Sequence, residues 1–165
     1  MSDSNLIAES AGAAGATARY SIGIDLGTTH CALSYVDRSA SDGDTVAQGV
    51  LDIPQLTGPA SVDAKPLLPS FLYLPHESEL TPADMALPWG AADGYVVGEF
   101  ARSRGAATPI RLVSSAKSWL CHPGVDRRAP LLPADAPAEV ARVSPFTASI
   151  RYLSHLRSAW DQAHP

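Results

Sequence analysis

Residues 20–36 read YSIGIDLGTTHCALSYV and carry the clearest structural pattern in the chain. Large apolar side chains occupy every second position from Tyr20 to Leu26, with small or polar residues between them. This period of two is typical of a β-strand. The Gly-Thr-Thr sequence of residues 27–29 interrupts the alternation, and residues 30–36 resume a β-compatible run. The stretch therefore predicts a β-hairpin with a Gly-Thr-Thr turn.

The segments that follow the hairpin predict an α/β chain. Residues 46–53 form a candidate third strand, whose extent Pro54 limits, so three consecutive antiparallel strands are expected. Seven prolines punctuate residues 54–94, where we expect a loop-rich insert around one short strand at 71–74.

Helical composition is concentrated in the second half of the chain. We expect one helix over residues 98–105, ended by Gly105, and another over residues 110–120. The clearest helix begins at Pro145, with Ser144 as its N-cap. The apolar residues that fall close to one face of this helix are expected to pack on the core; they are Phe146, Ile150, Leu153, Leu156 and Trp160.

The length and charge of the chain exclude several classes of function. Its 165 residues correspond to one domain or to a piece of a larger one. A net charge of -5 gives no support for nucleic-acid binding, and we expect no nucleic-acid partner. No apolar run is long enough to predict a membrane helix, so we expect no membrane partner either. The two cysteines, Cys31 and Cys121, form no disulfide framework, which favours a cytoplasmic location. Residues 1–19 lack the pattern of a secretory signal, and we expect a disordered tail there.

The turn of the hairpin combines residue types that suit a nucleoside triphosphate. Gly27 lets the backbone approach a phosphate closely, and successive N–H groups in a tight turn form an anion-binding concavity. Thr28 and Thr29 add hydroxyl donors. Asp25 lies on the strand face opposite Ile24, where its carboxylate can hold magnesium through the waters that the ion retains. On these residues alone, an ordinary hairpin turn remains the alternative.

The segment Ile22–Thr29 resembles the first phosphate-binding motif of the actin-like ATPase superfamily, and specifically that of the seventy-kilodalton heat-shock (DnaK-type) chaperones. Four later segments resemble this family in order and approximate spacing. They are the Pro-Ser step and strand of residues 69–73, the strand-to-helix step of 97–101, the lysine-bearing segment 115–120, and residues 143–160. The resemblance spans about residues 20–163.

This resemblance implies an actin-like ATPase (ribonuclease H-like) fold, with residues 20–165 forming an incomplete lobe I of a nucleotide-binding domain. It implies ATP and Mg²⁺ as ligands: Asp25 would hold the magnesium through water, and Gly27, Thr28 and Thr29 would contact the phosphates. Lys117, one of two lysines in the chain, would be the catalytic residue that approaches the γ-phosphate.

The complete form of such a chaperone would couple ATP hydrolysis to the binding and release of unfolded polypeptide clients, together with cochaperones. The 165-residue chain alone is expected to bind ATP weakly and to hydrolyse almost none. Ser118 stands where the family usually has arginine, and His30 where it usually has asparagine or tyrosine. These departures suggest a divergent bacterial-type member.

Two alternatives remain open from the sequence. The first is a non-catalytic, truncated interaction module that keeps the hairpin and the last helix as a binding surface. The second is another actin-superfamily member, such as a sugar kinase or a filament protein, that shares residues 25–29. The Pro69-Ser70 step and the Lys117 segment favour the chaperone over the second alternative.

Overall fold

A four-stranded antiparallel sheet carries the predicted turn. The computed structural model describes residues 18–91 and 94–165, so the tail predicted for residues 1–19 lies almost entirely outside the described residues. The strands β1 (Tyr20–Leu26) and β2 (His30–Asp37) pair without a register shift, and β3 (Gln48–Val50) pairs with the other edge of β2. The hairpin is therefore confirmed, as is a mixed α/β chain with antiparallel sheets and a C-terminal helix. The third strand is present but shorter than the predicted residues 46–53, because Ile53 begins a separate strand.

The rest of the described chain forms eight short strands and three α-helices, and the last strand lies between the first and second helices. They are β4 (Ile53–Gly58), β5 (Ser61–Lys65), β6 (Leu68–Pro69), β7 (Leu72–Tyr73), β8 (Ala86–Leu87), β9 (Gly90–Ala91), β10 (Val96–Val97), α1 (Glu99–Ala107), β11 (Leu112–Val113), α2 (Ala116–Leu120) and α3 (Pro145–Ala163). β6 joins the first sheet beside β2, while β10, β7 and β11 form a second sheet in that order. Among residues 18–91 and 94–165, no helix is long and apolar enough to cross a membrane.

The proline-rich segment contains more strand than the sequence predicts. β4 and β5 form an antiparallel hairpin in which Pro54 lies opposite Ala64. Expecting only loops around one strand was wrong, because the missing N–H of a proline is tolerated in a strand that has a free edge. A two-stranded sheet leaves each strand with such an edge.

Two of the helix predictions were also wrong in extent. Gly105 does not end α1, which continues to Ala107. Leu112 packs so closely on Gly105 that a Cβ there would lie 2.3 Å from its Cδ1. The helix expected over residues 110–120 is confined to α2, because Leu112 and Val113 instead pair with β7. Burial of Val113 in the core favours a strand over the local helical composition.

The last helix starts as predicted but buries a different face. Ser144 accepts a hydrogen bond from the backbone N–H of Thr147 at 2.9 Å, which confirms the N-cap. The side chains that α3 buries include Ala148, Tyr152, Leu156 and Ala159, together with His155. The predicted stripe is wrong at its first three positions, since Phe146, Ile150 and Leu153 are 36%, 45% and 38% exposed.

A buried glutamine ties strand β4 to the start of α1. Gln55 is fully buried; its Oε1 accepts a hydrogen bond from Glu99 N at 3.0 Å, and its Nε2 donates to Leu67 O at 2.9 Å. This amide satisfies an N–H group at the start of α1, which has no side-chain N-cap of its own. Gly98 has φ of 90°, and a Cβ there would lie 2.7 Å from the Gln55 oxygen. The close approach therefore requires glycine.

A buried histidine fastens α3 to β4. His155 Nε2 lies 2.8 Å from the carbonyl oxygen of Pro54, and since a carbonyl only accepts, Nε2 carries the proton. The imidazole meets the Trp89 ring edge-on, with centroids 5.1 Å apart. Burial lowers the pKa of His155 to about 4, although the Pro54 hydrogen bond opposes that shift. The side chain is accordingly neutral at pH 7.

Candidate phosphate-binding turn

The turn between β1 and β2 is tight and open to solvent. A Cβ on Gly27 would lie 2.1 Å from the carbonyl oxygen of His30, a distance that no side chain can adopt. Glycine is therefore required, because the chain doubles back on itself here. Thr28 and Thr29 are both exposed. An anion in solution can reach this turn directly.

Ser70 holds the turn from the protein side. Its hydroxyl donates to the carbonyl oxygen of Gly27 at 2.8 Å, and its backbone N–H donates to the carbonyl oxygen of Thr29 at 2.9 Å. β6 makes this possible by pairing Pro69 with His30 and Leu68 with Cys31, so that the following residue lies against the turn. Ser70 is only 2% exposed. A single buried residue therefore binds both carbonyl groups that flank Thr28.

Two further buried side chains complete this contact. The Cys31 sulfur lies 3.3 Å from Ser70 Oγ; since the one hydroxyl proton of Ser70 goes to Gly27, the thiol donates. Tyr152 of α3 donates its phenolic O–H to the carbonyl oxygen of Ser70 at 3.2 Å. Burial raises the pKa of Tyr152, and the charge of a Cys31 thiolate would raise it further. The phenol is therefore a neutral donor across the ordinary pH range.

The pKa of Cys31 depends on its burial and on the charges of two other segments. Burial is the main cause that raises the pKa of Cys31, and hydrogen bonding with Ser70 and with the Gly27 backbone opposes this shift. The Asp25 charge raises this pKa further, whereas the Lys117 charge lowers it. Both charged groups therefore act on Cys31, although they are far apart in sequence.

The local structure leaves both charges in solvent. Asp25 lies opposite Ala32 in the hairpin, and its side chain is exposed. Ser115 has left-handed backbone, with φ of 53°, immediately before α2. Ala116 then enters the core that contains Cys31, while Lys117 is exposed. α2 is thus fixed by its buried first residue and presents the lysine to water.

The carboxylates near the turn allow only a loosely held metal. Within residues 18–91 and 94–165, no group of three or more His, Cys, Asp or Glu side chains could hold a metal ion. Asp25 alone fits magnesium only if waters and ligand oxygens supply the other positions, which is the coordination that this ion tolerates best. The turn suits a phosphate group, since it combines accessible backbone with two exposed threonine hydroxyls.

Sequence reasoning identified the turn and the lysine but missed the residues beneath them. Cys31 continues the inward-facing alternation of β2, and this was the available signal for its burial. Tyr152 was hidden because the predicted apolar face of α3 was rotated away from it. The contact of Ser70 with the turn follows from the β2–β6 pairing, which no local pattern encodes.

Comparisons of the chain with known protein families, with curated proteins and with solved structures found no match.

Proposed function

We propose that this chain is the N-terminal, ATP-binding part of a heat-shock-type molecular chaperone with an actin-like ATPase fold, representing an incomplete lobe I. The observation that carries the proposal is the convergence of separate segments on one turn. Ser70 binds the Gly27–Thr29 turn directly, and the segment that bears Lys117 packs through Ala116 in the same buried core as Cys31, which lies beside that turn. These are the segments whose sequences resemble the chaperone family.

Each residue then has a definite task. Gly27, Thr28 and Thr29 bind the phosphate chain through backbone and hydroxyl donors. Lys117 contributes a compact positive charge toward the γ-phosphate. Asp25 orients the waters of a bound magnesium ion. Bound Mg²⁺ would neutralise phosphate charge, which is the main demand of phosphoryl transfer. ATP hydrolysis, polypeptide clients and cochaperones belong to the complete chaperone in this proposal.

The test is a titration of the ¹⁵N-labelled chain with Mg·ATP, followed by two-dimensional NMR. We expect weak binding, with shifts concentrated at Asp25, the turn and Lys117, and negligible hydrolysis. Lys117→Ala should weaken the response strongly. Lys65→Ala is the matched control, because Lys65 is the other lysine of the chain and lies at the end of β5, outside the turn and α2.

Two results would contradict the proposal. One is the absence of any shift at the turn at millimolar Mg·ATP. The other is an equal effect of Lys117→Ala and Lys65→Ala, which would mean that the nucleotide responds only to net charge.

A non-catalytic interaction module is the second candidate, and one observation favours it. α3 exposes Phe146, Ile150 and Leu153, and β1 exposes Ile22 and Ile24 at 47% and 48%. Exposed apolar surface of this kind is typical of protein contact sites. A stable, monodisperse protein that ignores nucleotide would support this candidate over the first.

A further inference from the structure

We infer that Ser70 and Tyr152 are positioning residues that keep the Thr28 backbone N–H directed outward and couple the turn to helix α3. The identity of the anion that this N–H would meet rests on the proposed function; the positioning itself rests on geometry alone.

Ser70 fixes the orientation of the peptide plane between Gly27 and Thr28. The carbonyl of Gly27 and the N–H of Thr28 belong to the same planar trans unit, so they point in opposite directions. Ser70 Oγ binds that carbonyl on the protein side at 2.8 Å. The Thr28 N–H must therefore point away from Ser70. Without the hydroxyl, the plane is free to rotate and to present its carbonyl oxygen, which would repel a phosphate.

Ser70 also binds the carbonyl group on the other side of Thr28. Ser70 N–H binds the carbonyl of Thr29 at 2.9 Å, so both carbonyls that bracket Thr28 are held by one residue. The Ser70 hydroxyl also accepts the Cys31 thiol proton. Each polar group of Ser70 is thus used, with its carbonyl oxygen accepting from Tyr152.

Tyr152 links the turn to α3 through Ser70. Tyr152 is 2% exposed and projects from the buried face of the helix that also carries Leu156. Its hydroxyl meets Ser70, 82 positions earlier in the chain, at 3.2 Å. A displacement of α3 would therefore move the Ser70 carbonyl first and the turn next. This path gives surface contacts on α3 a physical route to the anion site.

The experiment compares four variants by ¹⁵N NMR before and after addition of Mg·ATP. Ser70→Ala and Tyr152→Phe remove one hydroxyl each, whereas Ser70→Thr restores the hydroxyl. Tyr35→Phe is the control, since it removes a tyrosine hydroxyl from the same sheet away from the turn. Tryptophan fluorescence confirms that each variant is folded at the temperature used.

We expect Ser70→Ala to shift and broaden the Thr28 amide signal in the nucleotide-free protein, and Ser70→Thr to recover it. Tyr152→Phe should produce the same change to a smaller extent, and Tyr35→Phe none. Loss of one hydrogen bond should weaken Mg·ATP binding roughly fivefold in Ser70→Ala. If Ser70→Ala does not fold, Tyr152→Phe carries the test.

An unaltered Thr28 amide in both Ser70→Ala and Tyr152→Phe would overturn the inference. A changed amide in a protein whose wild type does not respond to Mg·ATP would uphold the positioning role and refute the proposed function. The two failures are therefore distinguishable.

Discussion

Acidification should destabilise this fold through His155. The folded-state pKa of His155 is about 4, against an ordinary value of 6.5. Between pH 6.5 and pH 4, the unfolded chain binds the proton and the folded chain does not. The free energy of unfolding therefore decreases as the pH falls through this range. From these two values, the free energy of unfolding should decrease by about 2 kcal/mol at pH 5 and about 3 kcal/mol at pH 4, relative to pH 7.

The assay is urea unfolding at several pH values, followed by tryptophan fluorescence. Trp89 contacts the His155 ring and reports on its surroundings. His155→Gln is the matched variant, because its amide can still donate to the Pro54 carbonyl but does not titrate. Carboxylates that titrate in the same range affect both proteins equally. The difference between wild type and variant isolates the histidine.

The wild type should lose stability more steeply than His155→Gln between pH 7 and pH 4. Parallel profiles would refute the reasoning, since they would mean that the imidazole is hydrated or can protonate in place. A steeper loss in the variant would reverse the sign and would be equally damaging.

Three substitutions test other parts of the structure by thermal unfolding. Gly27→Ala should cost about 1–3 kcal/mol, because the new Cβ collides with the His30 carbonyl; an unchanged melting temperature would show that the turn is loose. Gln55→Met keeps the side-chain length but leaves the Glu99 N–H unpaired, and should cost about 1–3 kcal/mol; stabilisation would show that water replaces the amide. Ser144→Ala should cost about 1 kcal/mol by removing the cap of α3, with Ser144→Asp as the control that retains a cap.

Local patterns predicted the elements whose cause is local. β1 was predicted to the residue, because alternation and the glycine turn both lie within a few positions. The start of α3 was equally clear, since the Ser-Pro sequence supplies both the cap and a first residue with preset φ.

Nonlocal pairing accounts for the errors. Leu112 and Val113 lie in a segment of helical composition, but they pair with β7, and Val113 is buried in the core. The buried face of α3 was misjudged because periodicity shows which residues share a face and not which face meets the core. Here the apolar arc is wide, and small residues such as Ala148 and Ala159 permit the closest packing.

The residues of the candidate site likewise differ in whether a local pattern or a nonlocal contact places them. The motif at residues 25–29 is local, so it can be recognised from the sequence; it contains Asp25, Gly27, Thr28 and Thr29. Lys117 was identified only through resemblance to a family. The supporting residue Ser70 acquires its contact from the pairing of β6 with β2, which requires the folded chain to be seen.

The open side of β1 has a practical consequence for handling the protein. Among the described residues, β1 pairs only with β2, so a regular seven-residue edge is left with unused backbone donors and acceptors. Such an edge is a template for any extended peptide, including another copy of itself. Concentrated samples should therefore be kept cold and used soon. Ile24→Lys should discourage edge-to-edge pairing of β1 without changing the residues of the turn.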